Sequence, residues 1–161
     1  MPLTTAQNLT LKAAIAANPT WAAYPANSDG AYDLAAVLNR TSVPDFIVWK
    51  TDVSVDEIMR NSMDWARVDN LSVGKARIWD WMGRLGSFNA SKLNVRAGID
   101  TCWVGTAADL AVRTAIYTQC KRLASVVEKL LSAGTGIDAS PATMGFEGEI
   151  SYQEVQAARA A

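Results

Sequence analysis

From Thr106 to Ser132 the apolar residues Val112, Ile116, Cys120, Leu123, Val127 and Leu130 recur at steps of three or four. That spacing stacks side chains on one face of an α-helix, and no other stretch of the chain sustains it for about seven turns. A stripe of this length has to be covered by other elements. The expected fold is therefore mainly α: a helical bundle with a long central helix, one or two short strands and an extended C-terminal arm.

The covering helices carry their own start and stop signals. Thr4 or Thr5 can cap a helix through "AQNLTLKAAIAAN", with Leu9, Leu11, Ala14, Ile15 and Ala16 as its stripe until Pro19 ends it. "NPTWAAYPANSDG" reads as a short helical turn and a loop, and "GAYDLAAVLNR" as a helix with Tyr32, Leu34, Ala35 and Leu38 inward. "DFIVWKTDV" is β-branched and aromatic, which favours an extended segment. Ser54 and Glu57 have capping-box spacing ahead of a helix through "VDEIMRNSMDW", with Ile58 and Met59 inward. Ser72 can cap "VGKARIWDWMGRLG", where Val73, Ala76, Trp79 and Met82 form one stripe and Ile78, Trp81 and Leu85 a second beside it. A turn is expected at "NASKLN" and a further helix from Asn94.

After Ser132 the composition changes. "SAGTGIDASPATMG" is small, glycine-rich and proline-containing, so residues 1–132 read as a helical body and residues 133–161 as an arm of linker, short strand and terminal helix. Met144, Phe146 and Ile150 share one face of the expected strand, with Glu147 and Glu149 on the other. Ser151 and Glu154 repeat the capping-box spacing before "YQEVQAARAA". On this reading the body folds without the arm but fails to assemble.

Half of the 161 residues are hydrophobic, enough for one core without metals or disulfides. Basic and acidic residues balance at 15 and 16, so no general field draws the chain onto nucleic acid or an anionic membrane. No apolar run approaches the ~20 residues that span a bilayer, and "MPLTTAQNLTLKAA" lacks the pattern of a secretory leader. A cytoplasmic origin without a membrane partner is expected.

The chain has no histidine, which removes Ser-His and Cys-His nucleophile pairs and the commonest zinc ligand. Cys102 and Cys120 are expected as buried thiols. Gly74 and Lys75 suggest a phosphate loop, yet Ala76 stands where the magnesium-binding hydroxyl belongs and the upstream glycine is missing. Lys75 then becomes a surface or interface charge. Asp52, Asp56, Glu57, Asp64 and Asp69 match no metal loop, and the helix dipole accounts for Asp56 and Glu57. Arg77, Arg84, Lys92, Arg96, Lys121 and Arg122 are a loose basic set, balanced by nearby acids or set on solvent faces. No catalytic residue, cofactor or metal site is expected, and the protein does not read as an enzyme.

Six tryptophans, Trp21, Trp49, Trp65, Trp79, Trp81 and Trp103, are many for this length. Trp supplies large buried area to cores and interfaces. Trp79 and Trp81 project about 200° apart on a helix, so one face cannot bury both.

"VPDFIVWKTDVSVDEIMRN", "WARVDNLSVGKARIWDWM", "NVRAGIDTCWVGTAADLAVRTAIYTQCKRLASVVEKLL" and "FEGEISYQEVQAARA" together resemble small structural proteins of tailed bacteriophages and prophages. The likeness covers nearly the whole chain and includes no catalytic signature. It implies a virion structural protein whose best analogue is a head-to-tail adaptor of the neck, a homo-oligomeric ring under the portal, assembled in the bacterial host cytoplasm. The implied partners are the portal protein and a further neck or tail protein, with non-specific contact to packaged DNA left open. A capsid-decorating or tail-associated protein is the structural alternative, and a small phage nucleic-acid-binding protein or enzyme the rival class. In a ring subunit the candidate interface residues are Trp79, Trp81, Met144, Phe146, Ile150 and Tyr152, the arm adding a strand to a neighbour's sheet edge.

Overall fold

The computed structural model describes residues 2–61 and 64–161. These are mainly helical, with short strands between. The chain begins with α1 (Thr5–Ala17), α2 (Pro19–Ala22) and α3 (Ser28–Leu38). Next come β1 (Ile47–Trp49), β2 (Val53–Ser54), α4 (Val55–Asn61), α5 (Trp65–Val68), α6 (Val73–Gly83) and β3 (Ser87–Phe88). Then follow α7 (Leu93–Cys102), α8 (Ala107–Gln119), β4 (Lys121–Leu123), α9 (Val126–Leu130), β5 (Ser132–Ala133), β6 (Thr143–Met144) and α10 (Tyr152–Ala160). The strands pair as β1 with β4, β2 with β3 and β5 with β6. In the last two pairs Val53 faces Phe88 and Ser132 faces Met144, both antiparallel.

Capping sets most helix starts. Thr4 and Gln7 form a reciprocal box at α1, as do Ser151 and Glu154 at α10, each satisfying amides that the first helical turn leaves without partners. At α4 only half of the expected box forms. The Glu57 amide donates to Ser54 Oγ at 3.0 Å, but the Glu57 carboxylate turns to Lys50 at 2.9 Å. Of the helix expected through Trp65, Val55–Asn61 is helical and Asp64 is not, and the Ser62 and Met63 part of that expectation lies outside the described residues. The helix placed at Asn94 starts one residue earlier, behind Lys92 and without a side-chain cap.

The long central helix does not run unbroken. α8 closes at Cys120, whose carbonyl accepts from the Lys50 amide at 2.8 Å, and the Ala124 amide donates to the Phe46 carbonyl at 2.9 Å. Ser125 then opens a new capping box with Glu128 to start α9. Val112, Ile116, Cys120 and Val127 are buried as the three- and four-residue spacing expected, but Leu123, in β4 where the helix breaks, is 46% exposed and Leu130 only half-buried. The spacing did not report one continuous backbone.

The chain forms two compact units, the first from Met1–Val48 with Leu123–Ala161, the second from Trp49–Arg122. In the first unit α10 packs on α3 and α1, and its core joins Leu11, Ile15, Leu34 and Leu38 to Val127, Ile150 and Val155. The expected division after Ser132 is therefore not where packing ends: residues 133–161 belong to the core they were set apart from. Polar contacts fix them as well. Asn39 both donates to the Ile150 carbonyl at 2.9 Å and accepts from the Ile150 amide at 2.8 Å. The buried Glu128 carboxylate accepts from the Gly148 amide at 3.0 Å, and Arg159 donates to the Pro25 carbonyl at 2.7 Å. Gly30, inside α3, is required by proximity, because a Cβ there would lie 2.2 Å from the Pro25 carbonyl oxygen. Tyr32, expected inward on this helix, is 67% exposed.

The second unit has an aromatic core. Trp79 meets Trp103 edge-on at 5.4 Å and Phe88 at 5.8 Å between ring centroids. Ile58, Ile99, Val112 and Ile116 fill the space around them. Arg67 ties α5 to the start of α8 through the Asp109 carboxylate at 2.7 Å.

Candidate functional site

Lys75 stands in the first turn of α6, where Ser72 Oγ accepts from its amide at 3.4 Å. Its ammonium donates to the Val104 carbonyl at 3.2 Å, and its own carbonyl accepts from Cys102 Sγ at 3.5 Å. The Gly-Lys pair thus fastens the end of α7 to α6. The sequence expected a surface or interface charge at Lys75; its exposed ammonium is bonded within its own unit.

The other candidate groups are likewise engaged in structure. Burial pushes the Cys102 thiol up to about 11 and Cys120 up to about 12, so both stay protonated near neutral pH and are poor nucleophiles. Burial also raises the Tyr117 phenol, helped by the Asp100 carboxylate 2.8 Å away. Asp109 moves the other way, held down to about 2 by the Arg67 hydrogen bond and then by those from Thr106. Asp56 pairs with Arg60, and Asp64 accepts from the Ala66 amide. Among the described residues no group of three potential ligands could hold a metal.

The basic set is dispersed. Arg96 lies 4.8 Å and Lys121 5.8 Å from the Trp49 ring centroid, so both stack on one aromatic, and Arg84 pairs with Asp80. The charges nevertheless divide unevenly. Met1–Val48 with Leu123–Ala161 holds four basic and eight acidic residues, net −4; Trp49–Arg122 holds eleven and eight, net +3. Near-neutrality of the whole conceals two oppositely charged halves.

Of the candidate interface residues, the structure separates what the sequence grouped. Trp79 is 4% exposed and Trp81 68%, as their opposed directions on α6 require. Ile150 is buried and Phe146 half-buried in the first unit's core, while Met144 packs on a small cluster of Val48, Ala124 and Ala142. These three serve their own fold. Tyr152, at 37%, stays outside.

Trp81 is joined by residues expected inside. Val73 and Leu85, read as inward stripe positions, are each 71% exposed. With Arg77 they extend an apolar and basic strip along the outer side of α6. A cavity of about 360 Å³ opens on the other side, lined by Val55, Met59, Val68, Ala76, Trp79 and Gly83 with the Asp80–Arg84 pair. No candidate membrane span was found among the described residues: no helix is long and apolar enough. Comparison with protein families, with curated proteins and with solved structures finds no match.

Proposed function

We propose that the protein is a virion structural subunit, a head-to-tail adaptor that assembles as a ring on the portal of a tailed bacteriophage. The sequence resemblance supplies the virion context, and the observation that carries the reading is the outer face of α6. Val73 and Trp81 on α6, and Leu85 in the turn just past its end, stand in solvent, while Trp79 on the helix's other side is buried. A rigid, exposed aromatic beside arginine is the composition of a protein interface rather than of a reaction centre. The remaining partners under this reading are the portal protein and a further neck or tail protein, with the subunit in the neck of the virion.

Electron microscopy of the protein mixed with its portal tests this. A symmetric ring seated on the portal is expected, and loss of the ring with Trp81→Ala would tie it to α6. Copies spread over the capsid shell would favour a decorating protein, and absence from purified virions would sink the structural reading altogether.

A further inference from the structure

We propose that the outer face of α6 in one copy docks on the outer face of α3 and α10 in a second copy. The inference deepens the ring reading by naming the two faces that meet, and it takes from that reading only the identity of the partner.

The first face is the strip described above: Val73, Arg77, Trp81 and Leu85, with Arg84 beside them. Positions 73, 77 and 81 are four apart and so line one side of the helix. Arg77 makes no ion pair among the described residues. The second face lies in the other unit. Asp29, Tyr32, Asp33 and Ala36 fall at i, i+3, i+4 and i+7 on α3, and all four are exposed. Neither aspartate has an ion-pair partner among the described residues. Gln156 bonds Ser28 at 3.2 Å while Ile150 bonds Asn39, so α10 runs antiparallel to α3, and its first residue, Tyr152, is 37% exposed. The surface is acidic and rich in tyrosine.

Charge decides how two copies meet. If like faces paired, a unit of net +3 would oppose another +3, or −4 another −4. Pairing unlike faces sets +3 against −4, which favours encounter and register. Trp81, Arg77 and Tyr32 are of the side-chain types enriched at interfaces, while the aspartates supply the charge opposite arginine. A nucleic acid fits the α6 face less well, because Val73, Trp81 and Leu85 offer no phosphate contact and Arg84 is already paired with Asp80. Contact between two different faces of identical chains is heterologous, so it propagates into a ring or a filament instead of stopping at a dimer.

Sedimentation equilibrium of the full chain tests this, using Arg77→Glu with Trp81→Ala on one face and Tyr32→Ala with Asp33→Lys on the other. Circular dichroism confirms that each variant folds. Wild type should gain mass with concentration, less so as salt rises from about 0.05 to 1 M. Each variant alone should associate about 30-fold more weakly, the size of a lost hot-spot contact. An equimolar mixture should form dimers and go no further, because one intact face remains on each partner. Wild type that stays monomeric up to ~1 mM, association indifferent to both variants, or a mixture that fails to dimerise would each overturn the proposal. So would binding of a single-stranded oligonucleotide, lost with Arg77→Glu, in place of self-association. Self-association by these faces without portal binding would leave this inference standing and remove the adaptor reading. Portal binding by a non-associating chain would do the reverse.

Discussion

The first unit closes its core with aliphatic side chains brought from far apart in the chain, Leu11, Leu34 and Leu38 against Ile150 and Val155. The second closes its core with Trp79, Phe88 and Trp103 from one continuous stretch. The aliphatic unit depends on a late segment that carries few large residues, and so it relies on specific clamps such as Asn39 on Ile150 and Glu128 on Gly148. In the aromatic unit a few large rings bury the area, which leaves other positions of α6 free to face outward. The outer face left on α3 is polar and tyrosine-bearing, whereas the one left on α6 carries Val73 and Trp81.

The harshest way to break this comparison is to end the chain after Ser132. Removing Ile150, Val155 and Ala158 uncovers α1 and α3 and strips Glu128 of the Gly148 amide, so the first unit should lose cooperative folding. Thermal melts followed by circular dichroism would show the loss. Survival of the near-ultraviolet signal of the Trp79 and Trp103 cluster would keep the units distinct, and its simultaneous collapse would merge them.

Next in size is the pair on α6. Trp79→Ala should cost about 3–5 kcal/mol by opening the aromatic core, while Trp81→Ala should change stability by less than about 0.5 kcal/mol. Urea unfolding of both variants measures the contrast, and equal losses would show that Trp81 is not free in solution.

Two glycines sharpen the difference further. Gly30→Ala should destabilise the first unit by about 1–3 kcal/mol, since the new Cβ meets the Pro25 backbone and cannot be absorbed by a side-chain shift. Gly74→Ala should instead stabilise α6 by up to about 1 kcal/mol, its Cβ meeting nothing within 4 Å. Opposite shifts in denaturation midpoint are the expected outcome.

The smallest effect concerns acid. Asp109 is held down to about 2, below its unfolded value near 3.9, so its contribution is complete above about pH 4 and fades as pH falls toward 2. Melting temperatures of wild type and Asp109→Asn should therefore converge over that window. A constant gap between them would assign the acid sensitivity elsewhere.

Local signals proved most legible. Thr4, Ser72 and Ser151 cap helices where the sequence placed them, because a cap depends on residues within one turn. The opposed directions of Trp79 and Trp81 followed from helix geometry alone. The break in the apparent central helix was hidden because Lys50 and Phe46, which bond Cys120 and Ala124 on either side of β4, lie far away in sequence. Hydrophobic spacing is silent on whether three elements or one present the side chains, and at Leu123, where β4 interrupts the helix, it misjudged burial too. The glycine-rich stretch after Ser132 misled for a related reason: Gly145 brings its carbonyl to Gln7 Nε2 at 2.7 Å, so small residues there permit close packing rather than release. Lys75 was missed as a structural tether because its acceptor, the Val104 carbonyl, carries no side-chain signature. The charge division was always in the sequence but needed the boundaries at Val48 and Arg122 before it could be summed.

Because Trp49–Arg122 interrupts the first unit, synthesis imposes an order on folding. Every residue of the aromatic core has been made once position 120 is reached, while the leucines of α1 and α3 must wait for Ile150 and Val155. During that interval the nascent chain displays an aliphatic surface with no cover of its own. The second unit can mature early, with its outer α6 face ready, yet the acidic face it would meet is backed by a core that needs Ile150, Val155 and Ala158. Under the proposed pairing, such a delay would keep growing chains on neighbouring ribosomes from joining before Ile150 and Val155 are in place.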